Sequence, residues 1–352
     1  MTSPGNATGA DRRPPPPWWS YRGDGVPATN DARIQLPDPP PWRTFRGNVS
    51  QQAPPDDDEE VERRLGRADT RPVRQADPHE CDMVNAAIRL RRPLLVTGNP
   101  GVGKASIAFR LSRELRLGRV LQWPITSRTT LRSGLYEYDA IGRAQATNRA
   151  VPGTAASDER PSIGDFIRLG PVGTALLGSA RPRVLLVAEL DKSDIDLPDE
   201  LMRVLENGEY TVPELARLSR WEPEVSVHTD DPDRVAMVRH GRIHCHEFPI
   251  VVITSNGERE FSPDFLCGCI LLDLKPPNVD DLAAMVRAHL PHAADQLREL
   301  IEDFLNRPAS DALARDQLLN AVHLTSAGIY ADDKEAWQGL MTKIWRPPSV
   351  GR

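Results

Sequence analysis

The stretch PLLVTGNPGVGKAS, residues 93–106, constrains the fold of this 352-residue chain more than any other. An apolar run at residues 93–96 predicts a buried strand, and an amphipathic pattern from Ser106 onward predicts a helix. The glycines between them can adopt positive φ and bring backbone N–H groups close to an anion, and the helix N-terminus adds further free N–H groups. Lys104 comes directly before the helix, where its ammonium group can reach the outer phosphates of a nucleotide. The stretch therefore predicts a phosphate-binding loop.

The residues expected to contact the phosphates are Gly98, Asn99, Pro100, Gly101, Val102, Gly103, Lys104, Ala105 and Ser106. The spacing of Gly98, Gly103 and Lys104 fits the loop motif, but the next position does not. The motif places Ser or Thr there to ligate Mg²⁺, and this chain has Ala105. Ser106 comes one residue late, which on a helix rotates its hydroxyl by about 100°.

Charge, cysteine usage and hydropathy exclude several classes of protein. The formal net charge of −6 argues against a general binder of nucleic acid or of acidic membranes. The four cysteines form no CxxC pair, which favours a reduced, cytoplasmic protein. No apolar run is long enough for a signal peptide core or a membrane span, so we expect neither.

The N-terminal arm, residues 1–67, has a composition that cannot build its own core. It contains PPPPWW, LPDPPPW and an acidic run at residues 56–60, and such sequences favour polyproline II structure and disorder. Its tryptophans are unusual for a solvated tail. Two alternatives stay open: a disordered linker with scattered aromatic residues, or a segment that docks on its own core or on a partner.

The rest of the chain predicts an α/β domain followed by helices. Predicted strands alternate with helical segments, which implies a parallel sheet covered by helices on both faces. These strands lie at residues 93–96, 120–124, 183–187, 249–254 and 270–274. After residues 276–277, a Pro-Pro pair, the strand pattern stops and four short amphipathic helices follow.

Four segments, in this order, resemble those of MoxR-type AAA+ ATPases, and in particular the actinobacterial MoxR-like proteins with a Pro/Trp-rich N-terminus. The segments are GNPGVGK, RLGP, VLLVAELDKSDIDLPDELMRVLENGEY and VVITSNGEREFSPDFL. The resemblance implies a P-loop AAA+ sheet with helices on both faces, a small all-α lid, ATP between them and a ring of subunits. It also implies a remodelling protein that works with von Willebrand factor A-type partners. We therefore expect a disordered arm at 1–67, a nucleotide-binding domain at 68–276, a helical lid at 277–346 and a tail at 347–352.

The resemblance also assigns roles to single residues. Glu189 matches the Walker B glutamate that polarises the attacking water, and Asn256 matches the sensor asparagine that helps orient it. The sequence pattern supports both roles, because Glu189 and Asn256 each end an apolar strand at the edge where open α/β sheets bind ligands. Lys104 is the third residue expected to act in catalysis.

Three positions depart from the family pattern. Ala188 replaces the Walker B aspartate, Ala105 replaces the P-loop hydroxyl, and Cys267 stands where close relatives have an arginine that acts on the neighbouring subunit. An arginine finger alone contributes about 10³–10⁵ to the rate. We therefore expect ATP to bind, Mg²⁺ to be poorly anchored, and hydrolysis to be weakened.

The sequence leaves some alternatives open. The chain is either a remodelling ATPase of reduced activity or a hydrolysis-poor subunit of a mixed ring; a P-loop kinase or GTPase fits less well. Asp191 either helps to hold Mg²⁺ or caps a helix beginning near Ile195. The cluster His244–Cys245–His246 suggests zinc, but on a strand the cysteine points away from the two histidines, so no metal site is expected.

Overall fold

The computed structural model describes residues 14–29, 36–68, 76–149, 161–290, 300–302, 304, 315–329 and 333–344. The strands are β1 (Leu94–Thr97), β2 (Leu121–Pro124), β3 (Tyr136–Tyr138), β4 (Ile167–Leu169), β5 (Val184–Ala188), β6 (Glu209–Thr211), β7 (Glu224–His228), β8 (Val235–Arg239), β9 (Arg242–His244), β10 (Ile250–Thr254) and β11 (Ile270–Asp273). The α-helices are α1 (Asp58–Leu65), α2 (Pro78–Leu90), α3 (Ser106–Leu115), α4 (Leu131–Leu135), α5 (Ala140–Arg149), α6 (Pro171–Ala175), α7 (Leu197–Asn207), α8 (Pro213–Leu218), α9 (Pro263–Gly268), α10 (Val279–His289), α11 (Arg315–Ser326) and α12 (Lys334–Ile344). Short 3₁₀ helices lie at Pro41–Arg43, Ile163–Phe166 and Leu190–Lys192.

The main sheet has five parallel strands in the order β11–β1–β10–β5–β2. The five predicted strands are these five, and the parallel sheet is confirmed. Both faces of the central strands are buried, with Leu94, Leu186 and Val252 in one core cluster and Leu95, Leu185 and Ile253 in the other. This two-sided burial explains why the strands are continuous apolar runs and do not alternate with polar residues.

A second sheet of six short strands, in the order β3–β4–β7–β8–β9–β6, packs into the core cluster that contains Leu95, Leu185 and Ile253. Its pairs are antiparallel except β4 with β7. Alternate residues of β7 and β8 are buried, so one face of the sheet joins the core and the other faces solvent. The sequence predicts short strands or a hairpin at residues 208–212 and 225–245, where β6–β9 lie. It predicts helix and loop at residues 127–145 and a helix from residue 163, and so misses β3 and β4.

The described residues after 277 are mostly helical, as predicted. Its helices α10, α11 and α12 have a core of their own that includes Leu282, Val286, Leu318 and Met341. Part of the second predicted helix lies outside the described residues. No helix in the described part of the chain has the length and apolar character needed to cross a membrane.

The described residues of the N-terminal arm, 14–29 and 36–67, contact the α/β domain. Tyr21 and Ala28 are fully buried, and Val61 is 8% exposed. The indole N–H of Trp19 donates to Asp82 of α2, at 2.9 Å. Phe45 stacks on Phe248 with ring centroids 5.5 Å apart. Docking on the chain's own core is therefore the alternative that these contacts support. The predicted domain boundaries stay predictions.

Candidate nucleotide-binding site

The loop between β1 and α3 has the backbone shape of an anion cradle. Gly98, Gly101 and Gly103 have φ values of 136°, 78° and 89°, which favour glycine. A Cβ atom on Gly98 would lie only 2.7 Å from the carbonyl oxygen of Leu274. Helix α3 begins at Ser106 with no side-chain cap on its first N–H groups. The N–H groups of Ser106, Ile107 and Ala108 donate to carbonyl oxygens three residues earlier, so the N–H groups offered to a phosphate are those of the loop just before the helix N-terminus.

Lys104 lies inside this loop. Its Nζ donates to the carbonyl oxygens of Gly98 and Asn99, at 2.7 and 3.0 Å, and the residue is 7% exposed. Burial lowers the pKa of Lys104, while the carboxylates of Asp191 and Glu189 act in the opposite direction. The ammonium group is thus held by neutral carbonyls, which the oxygens of a phosphate group can replace.

Glu189 and Asn256 lie at the ends of neighbouring strands, β5 and β10, as the sequence predicted. The amide of Glu189 donates to Thr254 Oγ1 at 2.9 Å, and this contact fixes an unusual left-handed backbone with φ of 62°. Asn256 Nδ2 lies 3.4 Å from Glu189 Oε1. Lys192 Nζ forms an ion pair with Glu189 Oε2 at 2.6 Å. The structure therefore brings Lys104, Glu189 and Asn256 to one cleft.

The residues present do not form the protein-anchored Mg²⁺ site that the sequence resemblance implies. The two anchor positions, Ala105 and Ala188, present methyl groups to the cleft. Asp191 instead anchors the loop after β10, because its Oδ2 accepts from the N–H groups of Asn256 and Glu258 at 2.9 and 3.0 Å. Its Oδ1 is buried and has no hydrogen-bond partner among the described residues. The described residues contain no cluster of three or more His, Cys, Asp or Glu side chains that could hold a metal ion.

The helix-cap interpretation of Asp191 is wrong, because Asp191 bonds to this loop and α7 begins later, at Leu197, with no side-chain cap.

Cys267 is exposed near the end of α9. The guanidinium of Arg92 donates to the carbonyl oxygens of Cys267 and Gly268, so a cation from α2's end caps this helix. The sequence did not single out Arg92.

The cleft has a volume of about 530 Å³ and four walls. Two walls are the phosphate loop and the ends of β5 and β10. The third is α10 of the helical region, which contributes Met285, Ala288 and His289. The fourth, which the sequence did not predict, is the N-terminal arm, with lining residues Asp24, Gly25, Arg63, Arg64, Leu65, Arg67 and Ala68.

Buried polar side chains hold the arm against α2 and α3. Glu114 of α3 accepts hydrogen bonds from the N–H groups of Arg22, Gly23 and Gly25, at 2.7, 3.2 and 2.8 Å. Burial and the nearby Asp24 raise the pKa of Glu114 to about 7, although these N–H groups and Arg110 act in the opposite direction. This clasp, formed by Glu114 and the three N–H groups of the arm, places Asp24 and Gly25 beside the cleft.

Tyr21 lies in a second group of buried polar side chains between the arm and the helices α2 and α3. Its hydroxyl donates to Glu80 of α2 at 2.8 Å, and Arg110 of α3 contacts both Glu80 and the tyrosine oxygen, at 3.0 and 3.2 Å. Asn85 accepts from the N–H groups of Ser20 and Tyr21. A polar residue at each of these helix positions was visible in the sequence, but its partner lies too far along the chain to be predicted.

Helix α1 of the arm joins the sheet domain to the helical region. Arg113 of α3 donates to the carbonyl oxygens of Val61 and Gly66, at 3.0 and 2.8 Å. The N–H group of Arg67 donates to the carbonyl oxygen of Ala288 in α10, at 2.9 Å. Gly66 lies so close to Ala288 that a Cβ atom would come within 2.5 Å of its backbone. The arm thus connects two walls of the cleft.

The chain is similar to known proteins at the level of a domain family and of solved structures. Residues 93–263 match the family model of the AAA domain, dynein-related subfamily. Among solved structures, RuvB of Thermotoga maritima, described as a Holliday junction branch migration motor, is 14% identical, with a TM-score of 0.38, 83% of this chain covered and 72% of that chain. A variant of the same protein is 13% identical, with a TM-score of 0.37 and coverages of 82% and 70%. No curated protein matches the chain.

Proposed function

We propose, from the premise that residues 93–263 form an AAA domain, that the protein binds ATP in this cleft and uses it to remodel or regulate a partner protein, with weakened hydrolysis. The observation that carries the proposal is a complete phosphate cradle, residues 98–104, beside two methyl groups, Ala105 and Ala188, at the metal-anchoring positions. A MoxR-like protein that works in a ring with a von Willebrand factor A-type partner is the finer form of the proposal, and it rests on the sequence resemblance.

In this proposal the cradle binds the phosphates of ATP. Backbone N–H groups of the loop donate to the phosphate oxygens, and Lys104 exchanges its two carbonyl partners for them. Glu189 polarises the attacking water and Asn256 orients it, because both side chains lie at the same edge of the sheet. Mg²⁺, where it accompanies ATP, neutralises phosphate charge, and in this chain the nucleotide has to hold most of it.

The sizes of the lost interactions explain why we expect the rate of hydrolysis to fall more than the affinity for ATP. Phosphoryl transfer depends on positioned positive charge, and one missing arginine finger costs about 10³–10⁵ in rate. Binding keeps the backbone cradle and Lys104. The ion pair of Lys192 with Glu189 does not change this balance, since both side chains are about 40% exposed and such surface pairs contribute only about 0–1 kcal/mol.

The second candidate is a hydrolysis-poor scaffold or regulatory subunit of a mixed ring. The observation that favours it is the end of α9, where the exposed Cys267 offers no charge to a neighbouring subunit. In such a ring, another subunit has to supply the arginine that acts on this chain's Glu189 and Lys104. A ring of identical subunits would lack that arginine at every α9 end.

Calorimetry and turnover measurements test these proposals on the full chain. We expect ATP to bind with an affinity that changes little, by about threefold or less, when EDTA replaces Mg²⁺. We expect the variant carrying both Ala105→Ser and Ala188→Asp to gain at least about tenfold in turnover, because two anchored ligands restore the metal charge. Adding Glu189→Gln to that variant is the control, and it should abolish the gain.

The outcomes separate the candidates. A steep gain in the double variant identifies a weakened enzyme, and no gain with intact ATP binding identifies the scaffold. Wild-type turnover equal to that of ordinary AAA ATPases contradicts weakened hydrolysis. Absence of measurable binding of ATP or ADP at millimolar concentration contradicts the proposed function itself.

A further inference from the structure

A second groove, of about 540 Å³, lies between residues 46–50 of the arm and the hairpin formed by β8 and β9. It shares no lining residue with the nucleotide cleft. Its lining includes three arginines and two histidines but no carboxylate: Arg46, Arg239, His240, Arg242 and His244. His244 lies 2.7 Å from the carboxylate of Glu209, so the positive charge of the groove comes from the three arginines, a local concentration in a chain of net charge −6.

Two of the arginines lie directly opposite each other. Arg239 and Arg242 are cross-strand partners on either side of the two-residue turn His240–Gly241, whose φ values are 50° and 67°. Like charges in this position repel and destabilise a hairpin. Only Arg239 is compensated, by Glu224 at 3.0 Å. Neither Arg242 nor Arg46 forms an ion pair with another described residue, so the groove keeps uncompensated charge at a structural cost.

The walls of the groove are fixed before any ligand arrives. The N–H group of Gly47 donates to the carbonyl oxygen of Cys245 at 3.0 Å, and that of Ser50 donates to Gly178 at 2.8 Å. A Cβ atom on Gly47 would lie 2.3 Å from the carbonyl oxygen of His244, so the arm lies directly on β9. A preformed groove loses little conformational entropy on binding, which favours affinity.

Two exposed apolar side chains, Val49 and Met237, stand among the arginines and are 52% and 42% exposed. The groove therefore offers guanidinium groups for carboxylates and apolar contacts for an aliphatic side chain. Among the described residues no Phe, Tyr or Trp ring lines it, although single-stranded nucleic acids usually stack their bases on such rings.

We infer that this groove is a docking site for an acidic, extended peptide segment of a partner protein that carries an aliphatic residue among its carboxylates. Arg46, Arg239 and Arg242 bind the carboxylates, and Val49 and Met237 contact the aliphatic side chain. The site is independent of the nucleotide cleft and of its proposed function.

Fluorescence anisotropy with a labelled peptide of alternating glutamate and leucine tests the inference on the full chain. We expect saturable binding that weakens as salt increases. Arg242→Glu and Arg46→Glu should each weaken it by about tenfold or more, because each removes a charge-assisted hydrogen bond and adds repulsion. Arg220→Glu is the matched control, since Arg220 is exposed and lines neither cavity, and it should leave the affinity unchanged within about twofold.

Further ligands distinguish an acidic peptide with an aliphatic residue from other classes of ligand. A peptide with glutamine in place of glutamate, or serine in place of leucine, should bind more weakly than the first. The inference is overturned by no peptide binding, by equal losses in all three arginine variants, or by oligodeoxythymidine binding more tightly and losing affinity in the same two variants. Calorimetry with ATP on each variant shows that it is folded, and a failure there with peptide binding intact contradicts only the proposed nucleotide function.

Discussion

At the scale of single residues, Lys104 supplies the side-chain positive charge of the cradle. We expect Lys104→Ala to weaken ATP binding in EDTA by about a hundredfold or more, because two charge-assisted hydrogen bonds of about 1.5–3 kcal/mol each are lost. Calorimetry measures the change. Lys192→Ala is the control, because this lysine is exposed at the same edge of the sheet and should alter the affinity by about threefold at most. Equal losses in both variants would show that Lys104 does not reach the phosphates.

Glu114 predicts a pH dependence of stability. Its pKa is raised from 4.5 to about 7 in the folded chain, so the unfolded chain releases this proton at lower pH than the folded chain does. The free energy of unfolding should therefore fall between pH 4.5 and 7, by roughly 3 kcal/mol from this group. Glu114→Gln has no such proton, so relative to wild type it should become more stable as pH rises.

Urea unfolding at pH 5 and pH 8 tests this prediction, and the measured quantity is the change with pH in the stability difference between the two proteins. Glutamine cannot accept all three hydrogen bonds from the arm, so the variant can be less stable at both pH values. Only the pH dependence tests the buried carboxyl group. A stability difference that is the same at both pH values would show that Glu114 titrates normally.

Single residues also show how much of the site was predictable. Lys104, Glu189 and Asn256 were found because each belongs to a short local pattern that ends or follows a strand at one edge of the sheet. The clasp of Glu114 was not predictable, because its partners lie up to 92 positions away and are backbone N–H groups without a side-chain signature. The same reason hid Asp24 as a residue of the cleft wall.

At the scale of elements, α1 is the connection between the sheet domain and α10. We expect Gly66→Ala to disrupt it, because Gly66 combines a φ of 74° with the close approach to Ala288. Gly328→Ala is the matched control, with a φ of 71° and no atom within 4 Å of the added Cβ. The control should cost about 1 kcal/mol of unfolding free energy, whereas Gly66→Ala should cost more and should separate α1 from α10.

Hydrogen exchange on the amides of α10, together with ATP calorimetry, distinguishes the two glycine variants. Faster exchange in α10 and weaker ATP binding are expected only for Gly66→Ala, since only this glycine touches the wall of the cleft. If both variants behave alike, the backbone strain explains the effect and the contact does not.

Elements differed in how well the sequence predicted them. The five strands of the main sheet are buried on both faces, so each is an apolar run that needs no partner to be recognised. Strands β3 and β4 have only three residues each, too few for an alternating pattern, and β4 pairs with β7 at the single position Arg168–His228. The sequence does not decide whether the arm docks, because prolines and tryptophans suit both a linker and a buried segment.

At the scale of the whole molecule, charge is distributed unevenly over an acidic chain. Cationic side chains line two separate cavities, the nucleotide cleft and the groove between residues 46–50 and the β8–β9 hairpin. The arm contributes to both. Residues 46–50 line the groove and residues 63–68 line the cleft. We therefore expect loss of the arm to affect ATP and peptide binding together, although point variants in either cavity affect one ligand alone.

The strand order has a consequence for a chain that is still being synthesised. Strand β1 carries the phosphate loop and lies between β10 and β11, which leave the ribosome long after it. Until then its apolar residues have no strand on either side, and such unpaired edges are prone to aggregation. A nascent chain stalled before Ile250 should therefore bind chaperones and no ATP, although every residue from Gly98 to Lys104 has already been made.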